Sequence, residues 1–142
     1  MGLYEEEGRW KVITAGVVIC LLLVAAAVLI LRGGPVRVAW DRDHVPPGGD
    51  ALLYVIVKNT SNYVYRNVAI YVRPLTPYLS VFSEQNMDPH LFVIEALPPG
   101  AEARARFLVK VARSAYSGDH MVEVSVATPG ETYVLQTGIR VG

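Results

Sequence analysis

The chain has almost no cysteine and no excess of charge of either sign. Cys20 is the single cysteine among 142 residues, so no disulfide can form within the chain and its stability must come from packing. Blue and binuclear copper centres need cysteine thiolates, which excludes an electron-transfer copper site in the rest of the chain. The 13 basic and 13 acidic residues balance. This balance argues against nucleic acid as a partner, because phosphate binding needs a basic surface excess.

Sequence motifs of catalysis are missing as well. The chain contains no GxSxG elbow for a nucleophilic serine and no glycine-rich loop for a phosphate group. A dinucleotide site would require strands that alternate with helices, and the pattern described below does not provide them. We therefore predict a protein that is not an enzyme and that carries no cofactor.

What the sequence does have is one long apolar run. Val12 to Leu31 reads VITAGVVICLLLVAAAVLIL, with Thr14 as its one clearly polar side chain. A helix of about 20 such residues matches the hydrocarbon core of a bilayer, and the run is too long for the apolar part of a cleavable signal peptide. Membrane lipid is therefore an expected contact. We interpret the chain as an N-terminal tail (1–11), a transmembrane helix (12–32), a linker (33–35) and a domain (36–142).

The residues in and around the apolar run bear on orientation and on helix packing. Lys11 and Arg32 bracket the run, and the basic residues near its two ends are equal in number, with Arg9 and Lys11 on one side and Arg32 and Arg37 on the other. Asn59-Thr60-Ser61 is a glycosylation sequon, which has meaning only outside the cytoplasm. We therefore expect a cytoplasmic N-terminus and an extracytoplasmic domain at the cell membrane, with Asn59 as the glycosylation candidate. The candidates for contact with a second helix are the small residues Gly16, Cys20 and Ala27.

The remainder of the chain alternates with a period of two. In Ala101 to Val111, apolar side chains such as Phe107 and Val109 occupy one face, and charged side chains such as Arg104 the other. Such alternation predicts a half-buried antiparallel strand. Proline- and glycine-rich turns separate several segments of this kind, including weaker strands at Tyr78–Phe82 and Leu91–Ala96. We predict an all-β fold, an immunoglobulin-like antiparallel β-sandwich of seven or eight strands.

Three stretches of this domain carry a family resemblance. They read PPGGDALLYVIVKNTSNYVYRNVAIYV, IEALPPGAEARARFLVKV and YSGDHMVEVSVAT. Their turns, and the strand that ends in Lys58-Asn59, resemble the CARDB-type immunoglobulin-like domains of archaeal and bacterial surface proteins. The resemblance covers about residues 36–126 and specifies a fold more than an activity. It implies a binding, adhesive or spacer module tethered to the cell envelope.

Aspartates lie close to each histidine, and two of these pairs are candidates for a metal site. Counting strand reversals from the anchor predicts that His90 and His120 lie at the end of the domain nearer the membrane. Asp88, His90, Asp119 and His120 would then converge on one ion. The alternative, which we prefer, is that these aspartates cap turns and that the histidines lie at strand edges.

Tyrosines form the other candidate surface. We predict that Tyr63, Tyr65, Tyr71 and Tyr78 lie on loops or point outward from strands, where tyrosine suits protein contact. The segment Thr76–His90 has the least pattern and is the candidate contact loop. We expect another membrane or surface protein as the partner, and a homodimer through sheet edges stays open.

Two alternatives of a different kind remain at this point. In both alternatives, the chain is a small accessory or assembly subunit of a larger membrane complex. One version is similar to a stator component of the archaeal motility filament, which also has one helix and an immunoglobulin-like sandwich. The other is a metal-handling accessory protein of a respiratory oxidase, and it rests on the aspartate–histidine pairs alone.

Overall fold

The computed structural model describes residues 34–85 and 87–142, and these form a two-sheet β-sandwich. This confirms the predicted all-β class of the domain. The predicted tail, the predicted transmembrane helix and Gly33 of the linker lie outside the described residues, as do the helix-packing candidates Gly16, Cys20 and Ala27. Within the described ranges, no helix has the length and apolar character needed to cross a membrane.

The described residues form nine strands, where the sequence predicted seven or eight. The strands are β1 Val36–Trp40, β2 His44–Val45, β3 Asp50–Lys58, β4 Tyr65–Pro74, β5 Leu79–Ser83, β6 Leu91–Leu97, β7 Glu102–Val111, β8 Gly118–Ala127 and β9 Thr132–Val141. The two weaker strands of the prediction are confirmed as β5 and β6. Strand β2 was missed because two residues are too few to show any alternation.

The strands divide between two sheets. One sheet has the order β1-β3-β7-β5 and the other the order β2-β9-β8-β4-β6. The short pair of β2 and β9 is parallel, and the remaining pairs in the described residues are antiparallel. Along the ladder of β3 and β7, Asp50 lies opposite Lys110 at one end and Lys58 opposite Glu102 at the other. Opposite charges across a strand pair favour this register.

The core lies between the two sheets. The predicted alternation of β7 is confirmed, since Ala105, Phe107 and Val109 are buried while Arg104 and Arg106 are exposed. The other strands fill the core mainly with fully buried aliphatic side chains: Leu53, Val55, Val57, Val68, Ile70, Val72, Val122, Val124, Val126 and Ile139. Burying one such side chain contributes about 1.5–3 kcal/mol, and this is the main term that holds the sheets together.

The two ends of the sandwich differ in what they carry. We call the end at which β1 begins the proximal end, and the end at which β1 finishes the distal end. The proximal end holds Asn59 and the turn before β7, where the N–H of Gly100 bonds to the carbonyl of Asn59. The distal end holds the turn before β3, where the N–H of Gly48 bonds to the carbonyl of Val111. The connections from β4 to β5 and from β7 to β8 also lie at the distal end.

The direction of β6 overturns part of the prediction. Strands β5 and β6 both run from the distal towards the proximal end, and they lie in different sheets. The strand count assumed a reversal at every turn, so it is wrong from β6 onward. Strand β8 therefore begins at the distal end. His120 lies there, and His90 lies beside Val72 in the distal half, not at the end nearer the predicted anchor.

Candidate functional site

Three rings meet at the distal end of the sandwich: Tyr78, Tyr116 and His120. We call them the distal aromatic cluster. Tyr78 lies between β4 and β5, Tyr116 lies between β7 and β8, and His120 lies near the start of β8. The ring centroids of Tyr116 and His120 are 4.3 Å apart. Tyr78 packs edge to face on both, at 5.4 Å from Tyr116 and 5.8 Å from His120. Each ring thus contacts the other two, in aromatic pairs of the kind that stabilise cores and interfaces.

Hydrogen bonds hold His120 at both ring nitrogens. Nε2 lies 2.9 Å from the carbonyl oxygen of Tyr116, and Nδ1 lies 3.3 Å from Oγ1 of Thr76. Because a carbonyl only accepts, Nε2 carries a proton and donates it to the carbonyl of Tyr116. The backbone N–H of Tyr78 donates to the same Oγ1 at 3.0 Å. These bonds tie the connection from β4 to β5 and the connection from β7 to β8 to the start of β8.

The exposed fraction of the side chain increases across the cluster, from His120 through Tyr78 to Tyr116. His120 is fully buried, Tyr78 is half-buried and Tyr116 is 56 % exposed. Leu75, on the same connection as Tyr78, is 38 % exposed. A tyrosine that is fixed by packing below and open to solvent above loses little conformational freedom when a partner covers it. Such residues dominate the energetics of protein interfaces.

Sequence reasoning found only part of this cluster. Tyr78 and His120 were singled out for different reasons, as a surface residue and as a metal ligand, and neither Tyr116 nor Thr76 was singled out as a cluster member. The sequence feature that could have identified Tyr116 is its position beside the Ser117-Gly118 turn. Gly118 has a φ of 131°, which glycine adopts without strain. The turn therefore brings Tyr116 back over a residue at the start of the next strand.

The four metal candidates do not converge. Asp119 and His120 are neighbours on β8, so their side chains lie on opposite faces of the sheet. Asp119 points outward, 3.5 Å from Nε of Arg140, whereas His120 points into the core. Asp88 caps a turn by accepting the N–H of His90 at 2.9 Å. In the part of the chain that the structure describes, no group of three or more His, Cys, Asp or Glu could hold a metal ion. The structure therefore does not bring the four candidate ligands together.

The four predicted tyrosines do not share one surface either. Tyr63 and Tyr65 lie at the proximal end with centroids 5.6 Å apart, Tyr71 lies on the outer face of β4, and Tyr78 belongs to the distal aromatic cluster. Tyr63 is 50 % exposed and Tyr71 41 % exposed, as predicted. Tyr65 is 8 % exposed, so its predicted outward position is wrong.

Tyr65 points inward because the alternation of buried and exposed residues along β4 shifts at Asn67. The φ of Asn67 is 55°, and the ladder of β4 and β6 is interrupted there. The buried residues of β4 therefore step by three, from Tyr65 to Val68, before they resume the period of two. A left-handed asparagine leaves no periodic mark in a sequence.

Asn59, the glycosylation candidate, is fully buried. Its Nδ2 donates to the carbonyl oxygens of Tyr63 at 2.7 Å and Leu97 at 2.8 Å. A glycan is bulky and is attached through the asparagine side chain, which must lie at the surface. The interpretation of Asn59 as a glycosylation site is therefore wrong for the folded domain.

Electrostatic features outside the cluster lie on the outer faces. Arg37 pairs with Glu102 and Arg106 with Glu84, at 2.7 and 2.8 Å, and both pairs are largely exposed. Exposed pairs of this kind contribute at most about 1 kcal/mol each.

Burial raises the pKa of the Tyr133 phenol well above its usual value, and a hydrogen bond and the negative charge of Glu131 add to the shift.

Comparison with known proteins identifies the fold and no family. No protein-family model matches the chain, and no curated protein matches it in sequence. A conjugative transposon lipoprotein from Bacteroides eggerthii is similar with a TM-score of 0.51 and 14 % identity, over 74 % of this chain and 96 % of that one. A conjugate transposon protein from Bacteroides vulgatus is similar with a TM-score of 0.50 and 10 % identity, over 77 % of this chain and 86 % of that one.

A third similar structure is part of an enzyme. It is a family 123 glycoside hydrolase from Clostridium perfringens, with a TM-score of 0.50 and 10 % identity. The match covers 70 % of this chain and 23 % of that one, so this chain spans about a quarter of the length of the enzyme. At such identities the three likenesses show the β-sandwich fold alone.

Proposed function

We propose that the protein is a membrane-anchored, extracytoplasmic, immunoglobulin-like module without catalytic activity, which binds another membrane or surface protein through the distal aromatic cluster. The observation that carries this proposal is the position of Tyr116. Its ring is more than half exposed, rests on the fully buried His120 and lies at the end of the sandwich opposite the start of β1. The predicted anchor precedes β1, so the distal end points away from the bilayer when the strands stand upright.

The order of the strands supports the immunoglobulin-like part of the proposal. In an immunoglobulin domain, strands A, B, E and D form one sheet, and strands G, F and C lie in the other. The orders β1-β3-β7-β5 and β9-β8-β4 fill the same places. One connection differs, because the strand that follows β4 joins the first sheet before β6 joins the second. The resemblance to CARDB-type domains points to the same class of module.

The proposed anchor rests on the sequence, and the proposed extracytoplasmic location rests on the resemblance to CARDB-type domains of surface proteins. The apolar run Val12–Leu31 is long enough to span a bilayer, and Lys11 and Arg32 flank it with charges that reach the headgroups. The balanced charge of the chain suits a protein partner better than nucleic acid. The role of the cluster is then recognition, with the half-buried Tyr78 and the buried His120 holding Tyr116 in place.

The experiment that tests the proposal is co-purification of the full-length protein from its native membrane in mild detergent. Tyr116→Ala removes the exposed ring of the cluster. Tyr63→Ala is the matched control, because Tyr63 is similarly exposed and also packs on an aromatic ring, but at the proximal end. We expect Tyr116→Ala to lose a stoichiometric protein that the wild type and Tyr63→Ala retain. Truncating an interface tyrosine of this kind costs about 2 kcal/mol, or roughly 30-fold in affinity.

Leu75→Arg provides a second variant at the distal end. Thermal unfolding of the wild type and of the three variants separates loss of binding from loss of fold. A partner that stays with Tyr116→Ala and Leu75→Arg but leaves Tyr63→Ala would contradict the distal location. A wild-type protein that carries no partner protein would contradict the binding function. A set of integral membrane proteins in fixed ratio would identify the accessory-subunit version of the proposal.

A further inference from the structure

The proximal end of the sandwich carries exposed apolar side chains and little charge. Three connections form it, and Glu131 is their single charged residue: 59–64 (NTSNYV), 98–101 (PPGA) and 128–131 (TPGE). Four exposed apolar side chains of the first two connections make up what we call the proximal apolar patch: Tyr63, Val64, Pro98 and Pro99. At the distal end, by contrast, the connection 41–43 reads DRD. An exposed apolar patch at the tip of a domain is typical of a contact surface.

Hydrogen bonds and packing hold this patch in place. Nδ2 of Asn59 donates to the carbonyl oxygens of both Tyr63 and Leu97, which joins the first two connections. The ring of Tyr63 packs edge to face on the buried Tyr65, and its hydroxyl lies beside Gly130 of the third connection. A tyrosine fixed in this way loses little conformational freedom when its exposed side is covered.

The segment that leads to the proposed anchor joins the domain beside the patch. The backbone N–H of Lys58, the residue before Asn59, donates to the carbonyl of Pro35 at 2.8 Å. Only Arg32, Gly33 and Gly34 separate Pro35 from Leu31, the last residue of the apolar run. An extended chain from Leu31 to Pro35 covers at most about 14 Å. The headgroup layer of a bilayer is about 5–8 Å thick, so an anchored domain has its proximal end within or just above that layer.

We propose that the proximal apolar patch docks on the bilayer that holds the anchor, with the side chains of Tyr63 and Val64 among the lipid headgroups. The proposal rests on the anchor of the proposed function and not on what the distal aromatic cluster binds. A small protein domain is about 30 Å across and is too wide for the gap that the short segment leaves. Lipid is therefore the occupant that fits.

The chemistry of the patch indicates which lipid contact forms. Tyrosine is enriched where membrane meets water, because its ring is apolar and its hydroxyl is polar. The charges at and beside the three connections balance, with the basic Lys58 and Arg66 against the acidic Glu102 and Glu131. Docking therefore needs no anionic headgroup and resists salt. It also holds the domain upright, with the distal aromatic cluster about 30 Å from the headgroups, the length of the strands.

The experiment uses the full-length protein in phosphatidylcholine vesicles, in a Cys20→Ser background. Asn62→Cys carries a fluorophore on the exposed residue beside Tyr63, and Ser114→Cys carries it on a distal connection as the matched control. A nitroxide on the lipid headgroup quenches a fluorophore that comes close to it. We expect strong quenching at Asn62→Cys and little at Ser114→Cys, with no change in high salt.

A charge in the patch tests whether its side chains make the contact. We expect Tyr63→Asp and Val64→Asp each to lower the quenching at Asn62→Cys by about twofold or more, because a charged side chain disfavours the interface. Val134→Asp is the matched control, since Val134 is exposed on the outer face of β9, and it is expected to leave the quenching unchanged. If Tyr63→Asp fails to fold, Val64→Asp decides.

Three outcomes would overturn the docking alone: quenching that both patch variants retain, equal quenching at Asn62→Cys and Ser114→Cys, or quenching that disappears in high salt. Release of the wild-type protein from the vesicles by alkaline carbonate would contradict the anchor itself, and the docking with it. The protein contact of the distal cluster is measured separately, in detergent. No bilayer is present there, so Tyr63→Ala is expected to keep a partner that Tyr116→Ala loses.

Discussion

Asn59 shows how one buried amide organises the proximal end. Its Oδ1 accepts from the backbone N–H of Ser61 at 2.9 Å and from the hydroxyl of Ser61 at 2.6 Å. Its Nδ2 bonds to the carbonyls of Tyr63 and Leu97, and its backbone bonds to Gly100 and Ala101. A single residue thus joins the connection after β3 to the end of β6 and the start of β7. Buried polar groups that are fully bonded in this way specify one arrangement of the chain.

Replacing Asn59 tests this role. Asn59→Ala leaves the carbonyl of Leu97 without its donor in a buried position, which is the costly way to lose a hydrogen bond, whereas the carbonyl of Tyr63 keeps the hydroxyl of Ser61 at 3.0 Å. We expect the free energy of unfolding to fall by about 2–4 kcal/mol, measured by urea denaturation. Asn62→Ala is the control, because Asn62 is exposed on the same connection. Equal stability of the two variants would show that the Asn59 side chain does not organise this end.

At the scale of strands, the clearest success of sequence reasoning is β7. Charged and apolar residues alternate there, with Leu108 as the exception on the outer face, because one face of the sheet meets water and the other meets the core. The sequence-based predictions fail where one local backbone conformation changes the face of a residue or the direction of a strand. At Asn67 the left-handed backbone moves Tyr65 to the inner face, and between β5 and β6 the chain changes sheet without reversing. Neither event alters hydrophobicity, so a periodic pattern does not predict it.

The candidate site was less predictable than the fold for the same reason. Its members come from three separate segments, and a wrong direction for β6 was enough to place His120 at the wrong end of the sandwich. The sequence identified Tyr78 and His120 as unusual residues. It did not indicate that Tyr116 packs on both, since contact between connections depends on which ends of the strands meet.

Protection of the β6 edge gives a prediction at the same scale. The side-chain amide of Gln85 donates Nε2 to the carbonyl oxygen of Val93 and accepts the N–H of Val93 at Oε1, both at 2.8 Å. Gln85→Ala removes both bonds and leaves the backbone N–H and C=O of Val93 half-buried beside solvent. We expect a loss of about 1–2 kcal/mol in the free energy of unfolding, together with stronger self-association, because the edge becomes available to a second chain. The measurements are urea denaturation and light scattering. Gln136→Ala serves as the control for stability, since the Gln136 side chain is exposed on the other edge. Equal stability and equal mass would contradict a protective role for Gln85.

For the whole molecule, the proposed anchor determines which end of the sandwich is free. The apolar run precedes β1, so the proximal end lies next to the proposed anchor and the distal aromatic cluster lies at the other end. A partner that contacts the cluster must therefore lie on the same side of the membrane as the domain.

Orientation is therefore the property of the whole molecule that most needs measuring. In a Cys20→Ser background, Ser114→Cys places one thiol on the exposed connection between β7 and β8, and Glu6→Cys places one in the N-terminal tail. We expect a membrane-impermeant maleimide to label Ser114→Cys in intact cells and to label Glu6→Cys only after permeabilisation, because the apolar run holds the two segments on opposite sides of the bilayer. Cys20→Ser alone controls for background labelling. The reverse pattern would put the domain in the cytoplasm. Labelling of both thiols in intact cells would contradict a membrane-spanning segment between them.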